Sequence, residues 1–404
     1  MRTRTSLGIV AIAWATAMPA AGQERPSDVT QMVEQAWSRA SAARQAEGRV
    51  NEADAGRAQA SSPFAGSPSL SLATRNDKLA RDHGVEEHDV SVAAPIWLPS
   101  QRSARGALAE AEVGEAQARV QAARLMLAGE VRERIWALAA AESDLEHAQI
   151  HAEATQRLEA DVMRRVNAGD LAYVEGLLAK QERLIAMAAV QAARSKHAEA
   201  ASKLQALTGY AQLPARYAEA IHNDPPSLEA HPRVLTARLG SDRAAKRIRY
   251  VSSTRRDAPE VAVSYRWERG VSNSAYDQTV GVGIRIPLAT AARNAPLDAA
   301  ALTEASTAAA EERATLDGVQ ADIAAAQAAL ESAEQNLLLT EERNATASER
   351  TTLLKKAFDA GELGLAEWLR ARGTARGAEV ALEHARTEHG LARARLNQAR
   401  GVLP

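Results

Sequence analysis

Apolar positions along this chain follow two periods, and each period is used twice. Val113, Val120, Leu127, Val131, Ile135, Leu138 and Leu145 recur at steps of seven, four and three, and so do Leu316, Val319, Ile323, Leu330 and Leu337. These are heptad-like seams, the mark of long helices packed on other helices. All fourteen prolines lie outside residues 100–213 and 297–403. An interior proline costs a helix about 3 kcal/mol, so both tracts are predicted to be helical. The second period is two. Val261, Val263, Tyr265 and Trp267 alternate with Ala262, Ser264, Arg266 and Glu268; beyond the turn-rich residues 270–275, Val280, Val282, Ile284 and Ile286 alternate again. Two strands of about nine residues, apolar on one side only, suit a transmembrane β-hairpin. Val261, Val263, Tyr265, Trp267, Val280, Val282 and Ile284 are then expected to face lipid, with Tyr265 and Trp267 at an interfacial girdle. An edge ribbon of a soluble sheet is the alternative for any one hairpin.

The first half carries a fainter copy of the second. Val90, Val92, Ile96 and Leu98 match Val280, Val282, Ile286 and Leu288, and Pro68 matches Pro259. Two further stretches, 166–179 and 358–371, share the order Ala-Gly-acid-Leu. With Gly169 laid on Gly361, Leu171 matches Leu363, Glu175 matches Glu367 and Leu177 matches Leu369. A glycine followed by an acid between two helical patterns predicts one helix ending in a left-handed residue and the next beginning. Each helical tract is thus expected to be a hairpin broken near its middle.

The layout is an internal duplication. Residues 23–213 form the first repeat, with a β-hairpin at about 68–98 and a helical hairpin at about 101–208 whose tip is near 169. Residues 214–232 are a proline-rich seam. Residues 233–404 form the second repeat, with a β-hairpin at about 259–288 and a helical hairpin at about 297–401 whose tip is near 361. Helical lead-ins over 27–60 and 233–253 open the two repeats.

Composition narrows the function classes. Only 3% of residues are aromatic, and the 46% hydrophobic share is largely alanine, which favours long, closely packed helices over a bulky globular core. The net charge of −2 is interspersed, so no basic field for nucleic acid exists. Arg2 and Arg4, the apolar run Leu7–Ala17 and the small residues Ala20–Gly22 predict a secretory signal peptide over residues 1–22, with a buried N-terminal helix as the alternative. With no cysteine, there is no disulfide framework, thiolate site or lipid-bearing cysteine. No segment has about 18 consecutive apolar residues, so membrane contact is expected through strands. No phosphate-binding loop, nucleophile elbow or zinc motif is present, so neither an enzyme nor a cofactor is expected. His147 and His151 at i, i+4, and the run His83, Glu86, Glu87, His88 and Asp89 in a predicted loop, have metal-like residue types. Neither offers a full ligand set, and no metal site is assigned.

Four strands cannot close a barrel, for which about eight are needed, and open edges cannot face lipid. The expected fold is therefore mainly α with a small β part. Three copies would pool twelve strands into an outer-membrane β-barrel continuous with a periplasmic α-helical tube. A non-channel coiled-coil scaffold, periplasmic or at the surface, is the competing class.

The passage Val280–Leu288 followed by Ala292–Asn294, the duplicated layout and the two Ala-Gly-acid-Leu tips resemble the TolC-like outer-membrane efflux factors. The passage looks most like their CzcC-type, metal-efflux branch. That resemblance spans about Ser27 to Leu403. It implies a homotrimer in the outer membrane of a Gram-negative bacterium, in contact with outer-membrane lipid and extending into the periplasm. It also implies a periplasmic adaptor (membrane fusion) protein docked at the tips, and an inner-membrane pump of the resistance-nodulation-division class. A type I secretion outlet is the alternative within the channel class. Carried onto this chain, the resemblance puts Glu367 at the periplasmic aperture, with Arg370 where such tips place a second acid. Arg370 would pair with Glu367 or cancel the ring's charge. Gly169 and Gly361 match the tip turns, and Leu171, Leu363 and Glu175 are expected at the docking surface.

Overall fold

The structure, a computed structural model, describes residues 25–79 and 83–404. The signal peptide expected over residues 1–22 lies outside them. Among the described residues there are seven α-helices, one short 3₁₀ turn and four strands. Helices α1 (Val29–Arg39) and α2 (Ser41–Ser61) precede strands β1 (Ser69–Asn76) and β2 (Glu86–Pro95) and helices α3 (Pro99–Ala168) and α4 (Tyr173–Thr208). Helix α5 (Pro232–Ser253) then precedes β3 (Glu260–Arg269), β4 (Asp277–Arg285), α6 (Ala291–Asp359) and α7 (Leu365–Ala399).

Three expectations are corrected. The helical hairpins do not break near their middles: α3 has 70 residues against 36 in α4, and α6 has 69 against 35 in α7. At about 1.5 Å per residue the long arms reach on the order of 100 Å and the short arms half of that. The uncovered half of each long arm is filled by the lead-in helices, with α2 on α3 and α5 on both α3 and α6. The first lead-in is itself two helices, split at Ala40, which takes an extended conformation. Helix α6 begins at Ala291, before Pro296 and not after it. A proline in the second turn removes a single hydrogen bond near a frayed end, so the helix runs through it.

The principal core lies midway along α3. Val131, Ile135 and Leu138 of the heptad seam meet Met32, Val33 and Ala36 of α1, Leu204 of α4, Leu213 of the connecting segment and Ala394 of α7. One buried charge is held there. Arg132 donates from Nε and Nη2 to the two carboxylate oxygens of Glu219, each at 2.7 Å, and from Nη1 to Gln398 Oε1 at 2.6 Å and Val402 O at 3.1 Å. A buried guanidinium is tolerable only when its donors are met in this way. The segment carrying Glu219 is the proline-rich seam, which runs across the helices and ties α3 to α7. A second network joins the repeats: Arg243 of α5 donates to Glu115 of α3 and Glu304 of α6, both at 2.6 Å.

The four strands form one antiparallel sheet in the order β1-β2-β3-β4. The two hairpins are therefore joined edge to edge by β2 and β3, in a register that sets Val90 opposite Tyr265 and Val92 opposite Val263. β1 and β4 are left as the open edges.

Candidate functional site

Two places concentrate unusual chemistry: the sheet at one end of the long helices and the paired tips at the other. In the sheet, the pleat sorts residues strictly. Val261, Val263 and Tyr265 of β3 lie opposite Ile284, Val282 and Val280 of β4, and Trp267 lies opposite Gln278. On β1, Leu70 and Leu72 pair with Val92 and Val90 of β2, which extends the same face across all four strands. This face is bare. Leu70, Leu72, Val92, Val263, Tyr265, Val280, Val282 and Ile284 are all exposed, the β4 valines at 73%. Burying such a side chain gains roughly 1.5–3 kcal/mol, so the face forgoes on the order of 10–20 kcal/mol when left in water.

An aromatic band crosses one end of that face. His88 stacks on Trp267 with ring centroids 5.2 Å apart, and Tyr265 lies 5.5 Å from Trp267. Beyond it stands a charged cluster, with Glu86 accepting from Tyr276 Oη at 2.8 Å and pairing with Arg269 at 2.9 Å. The opposite face is small and polar. Ser71, Ser91, Ser264 and Gly281 form one row, and Arg266 pairs with Glu87 and Asp89 at 3.2 and 3.3 Å. The histidine-acid run thus lies mostly in β2 and not in a loop. Strand alternation sends Glu86 and His88 to one face and Glu87 and Asp89 to the other, which dismantles it as a cluster. Among the described residues no group of three or more potential metal ligands exists.

At the other end, both tips turn as their glycines require. Gly169 and Gly361 have φ of +85° and +77°. In each, an amide just past the glycine reaches back to close the helix: Asp170 N donates to Arg165 O and Glu362 N to Ala357 O, both at 2.9 Å. These are left-handed helix stops. The tips are not separate. Leu158, Val162 and Ala179 of the first pack with Phe358, Leu365 and Trp368 of the second in one cluster. Phe358 and Trp368 stack in near-parallel planes 5.3 Å apart, and Arg165 caps the Phe358 ring at 5.5 Å.

The residues expected at the aperture and docking surface divide into two groups. Glu367 and Arg370 are exposed, Glu367 in the first turn of α7, where the helix dipole favours an acid. Within one chain, no ion pair joins them. Leu171 and Leu363 are half-buried against the tip cluster, and Glu175 is half-buried with Oε2 lacking a hydrogen-bond partner. The apolar side chains that stand free on the first tip are Tyr173, Val174 and Leu177. Repetition does not mark Tyr173 and Val174: they fall between the matched positions Leu171 and Glu175, and the second tip has Leu365 and Ala366 in their places.

No protein-family model matches this chain, and no curated protein matches it in sequence. Its fold is nevertheless that of solved outer-membrane channels. The structure is similar to the outer-membrane channel OprN at 18% identity, covering 99% of this chain and 98% of that one, with a TM-score of 0.74. It is similar to CusC at 16% identity, 93% and 92% coverage and a TM-score of 0.76. It is also similar to the CmeC outer-membrane channel of Campylobacter jejuni at 14% identity, 98% and 94% coverage and a TM-score of 0.74. Likenesses of this extent cover the sheet, the helices and both tips together. The chain has the fold of the TolC-like channels that its tips and strand-to-helix passage resemble.

Proposed function

We propose that this chain is the outer-membrane exit duct of a tripartite efflux system, passive in itself and not an enzyme. The observation that carries the reading is the sheet: four strands with one continuous bare apolar face, an aromatic band at its end, a small polar reverse face and two open edges. Edges of that kind are excluded from lipid, and a closed barrel removes them. Three copies, each joining its β4 to the next β1, would close twelve strands, with serine, glycine and paired charges lining the lumen. Strands of 8–10 residues, tilted as barrel strands are, match an apolar band about 25 Å tall.

In this reading Val261, Val263, Tyr265, Trp267, Val280, Val282 and Ile284 meet lipid. The helices hang into the periplasm of a Gram-negative cell, and the tips face inward. Glu367 and Arg370 line the aperture. The tip turns at Gly169 and Gly361, with Leu171, Glu175 and Leu363, meet a periplasmic adaptor that links the duct to an inner-membrane pump of the resistance-nodulation-division class. The duct performs no chemistry; it supplies a water-filled path whose width the tips control.

The test is fractionation and conductance. The protein should partition with the outer membrane as a heat-dissociable trimer and should conduct in planar bilayers. A soluble periplasmic monomer without conductance would sink the reading and favour a coiled-coil scaffold. The CzcC-type look of the strand-to-helix passage makes metal cations the first substrates to try, as sensitivity of a deletion strain across a panel of metals, dyes and antibiotics.

A further inference from the structure

One group of side chains serves neither the sheet nor the tips. Arg372 and Arg376 stand at i, i+4 on α7, just past Trp368, and His147 and His151 have the same spacing on α3. With Asn344 and Ser348 of α6 they line a cavity of about 270 Å³ between the three helices. Both arginines are half-buried. Among the described residues neither guanidinium is hydrogen-bonded to or ion-paired with a carboxylate; the partner of Arg372 is the face of Trp368, 5.5 Å away. Burial and the neighbouring Arg376 hold the Arg372 guanidinium below its ordinary range, and the acid acting on it, Glu182, has a weaker effect than either. Two cations are thus brought together and offset only in part, by Glu182 acting on Arg372 and by Glu379 at the cavity wall.

The histidines do not convert this into a metal site. Burial first, then Arg376 and Arg372, push the His151 imidazole down to about 4, so it is neutral at pH 7. A neutral imidazole is a competent ligand, but a divalent cation there would face two guanidinium groups at close range. One acid also lines the cavity: Glu379, exposed and with its carboxylate 3.8 Å from His147 Nδ1. The remaining groups are donors: two planar guanidinium forks, one N–H from a neutral His151, the Asn344 amide and the Ser348 hydroxyl. Forked donors match a tetrahedral oxyanion, which accepts two hydrogen bonds from each. We propose that this cavity is an oxyanion site for a ligand of the inorganic phosphate or sulfate class, bridging α3 of the first hairpin to α6 and α7 of the second. A bound oxyanion cancels the repulsion between Arg372 and Arg376 at the point where the two hairpins meet above the tip cluster.

Isothermal titration of the purified full-length protein in detergent with sodium phosphate tests this. Saturable binding is expected, at least about tenfold weaker in Arg376→Gln and in Arg372→Gln and unchanged in Arg386→Gln, which alters an exposed arginine of α7 that pairs with Glu383. If Arg376→Gln does not assemble, Arg376→Lys keeps the charge and loses the fork, and should still weaken phosphate binding. Three results overturn the proposal: no saturable phosphate binding by the wild-type protein, equal affinity in all variants, or binding of zinc in place of phosphate that His151→Gln removes. The first would point instead to an acidic side chain of a neighbouring copy as the occupant.

Discussion

Helices α3 and α6 occupy the same place in the two halves and differ in length by one residue, yet they are packed in opposite ways. α3 is enclosed by α1, α2, α4, α5 and α7 and buries Leu108, Leu125, Val131, Ile135 and Leu138 almost completely. α6 meets α5, α7 and the short 3₁₀ turn, and its buried positions are few: Asn294, Ala301, Val319, Leu330, Ala333 and Phe358. Leu297, Leu302, Leu338, Leu339 and Leu353 of α6 stay exposed. The difference teaches where one chain ends as a structural unit. α3 is an internal post, finished within the protomer. In the trimeric reading proposed above, α6 is half of a seam whose other half another copy supplies.

The comparison can be broken most sharply at Arg132. Arg132→Ala on the enclosed helix strands the Glu219 carboxylate and should cost about 3–5 kcal/mol, read as a lowered denaturation midpoint that does not depend on protein concentration. Ile135→Ala should follow at about 2–4 kcal/mol, also independent of concentration. The paired change Leu338→Ala with Leu339→Ala on α6 should behave otherwise. It should leave the folded monomer's helicity unchanged while shifting the trimer–monomer balance toward monomer, seen by native electrophoresis or mass photometry. If it destabilises the monomer instead, α6 is not a subunit seam.

Smaller effects separate the tips. Gly169→Ala and Gly361→Ala should each cost about 1 kcal/mol from the left-handed backbone alone, because an added methyl meets nothing within 4 Å at either site. The smallest effect is electrostatic. His151 is depressed to about 4 from 6.5, so between those values the unfolded chain binds the proton that the folded chain refuses. Stability should therefore rise with pH from about 4 to 6.5 and be flat above. His151→Gln should reduce that slope, measured as melting temperature against pH.

Much of the fold was legible because it rests on local rules. Alternation fixes which strand residues share a face, and Val263, Tyr265, Val280 and Val282 lie together as their spacing requires. A glycine before an acid is a helix stop wherever it falls, and Gly169 and Gly361 are left-handed. What local rules do not carry is pairing over distance. The seams of α3 and α6 read alike, since a heptad leucine looks the same whether its partner is in the same chain or another. The tips near 169 and 361 and the tract ends near 208 and 401 already make each second arm the shorter one, but no local signal says what covers the rest of the long arm, so α2 and α5 are not expected as its fillers. Arg132 gave no signal, because Glu219, Gln398 and Val402 are remote in sequence and of ordinary type. At the tips, Leu171 and Leu363 were singled out by repetition, which reports a shared turn and not exposure; the free side chains Tyr173 and Val174 are unrepeated.

The pairing of β2 with β3 carries a consequence for how the protein is made. Pro95 lies opposite Glu260, with α3, α4 and α5 intervening in the chain. The first hairpin must wait, two-stranded and with its apolar face uncovered, until those three helices have been synthesised. A lone two-stranded ribbon is marginal in water, and contacts this remote are slow to form. The interval is one of aggregation hazard, in which a holding chaperone would find its clearest target in Leu70, Leu72 and Val92.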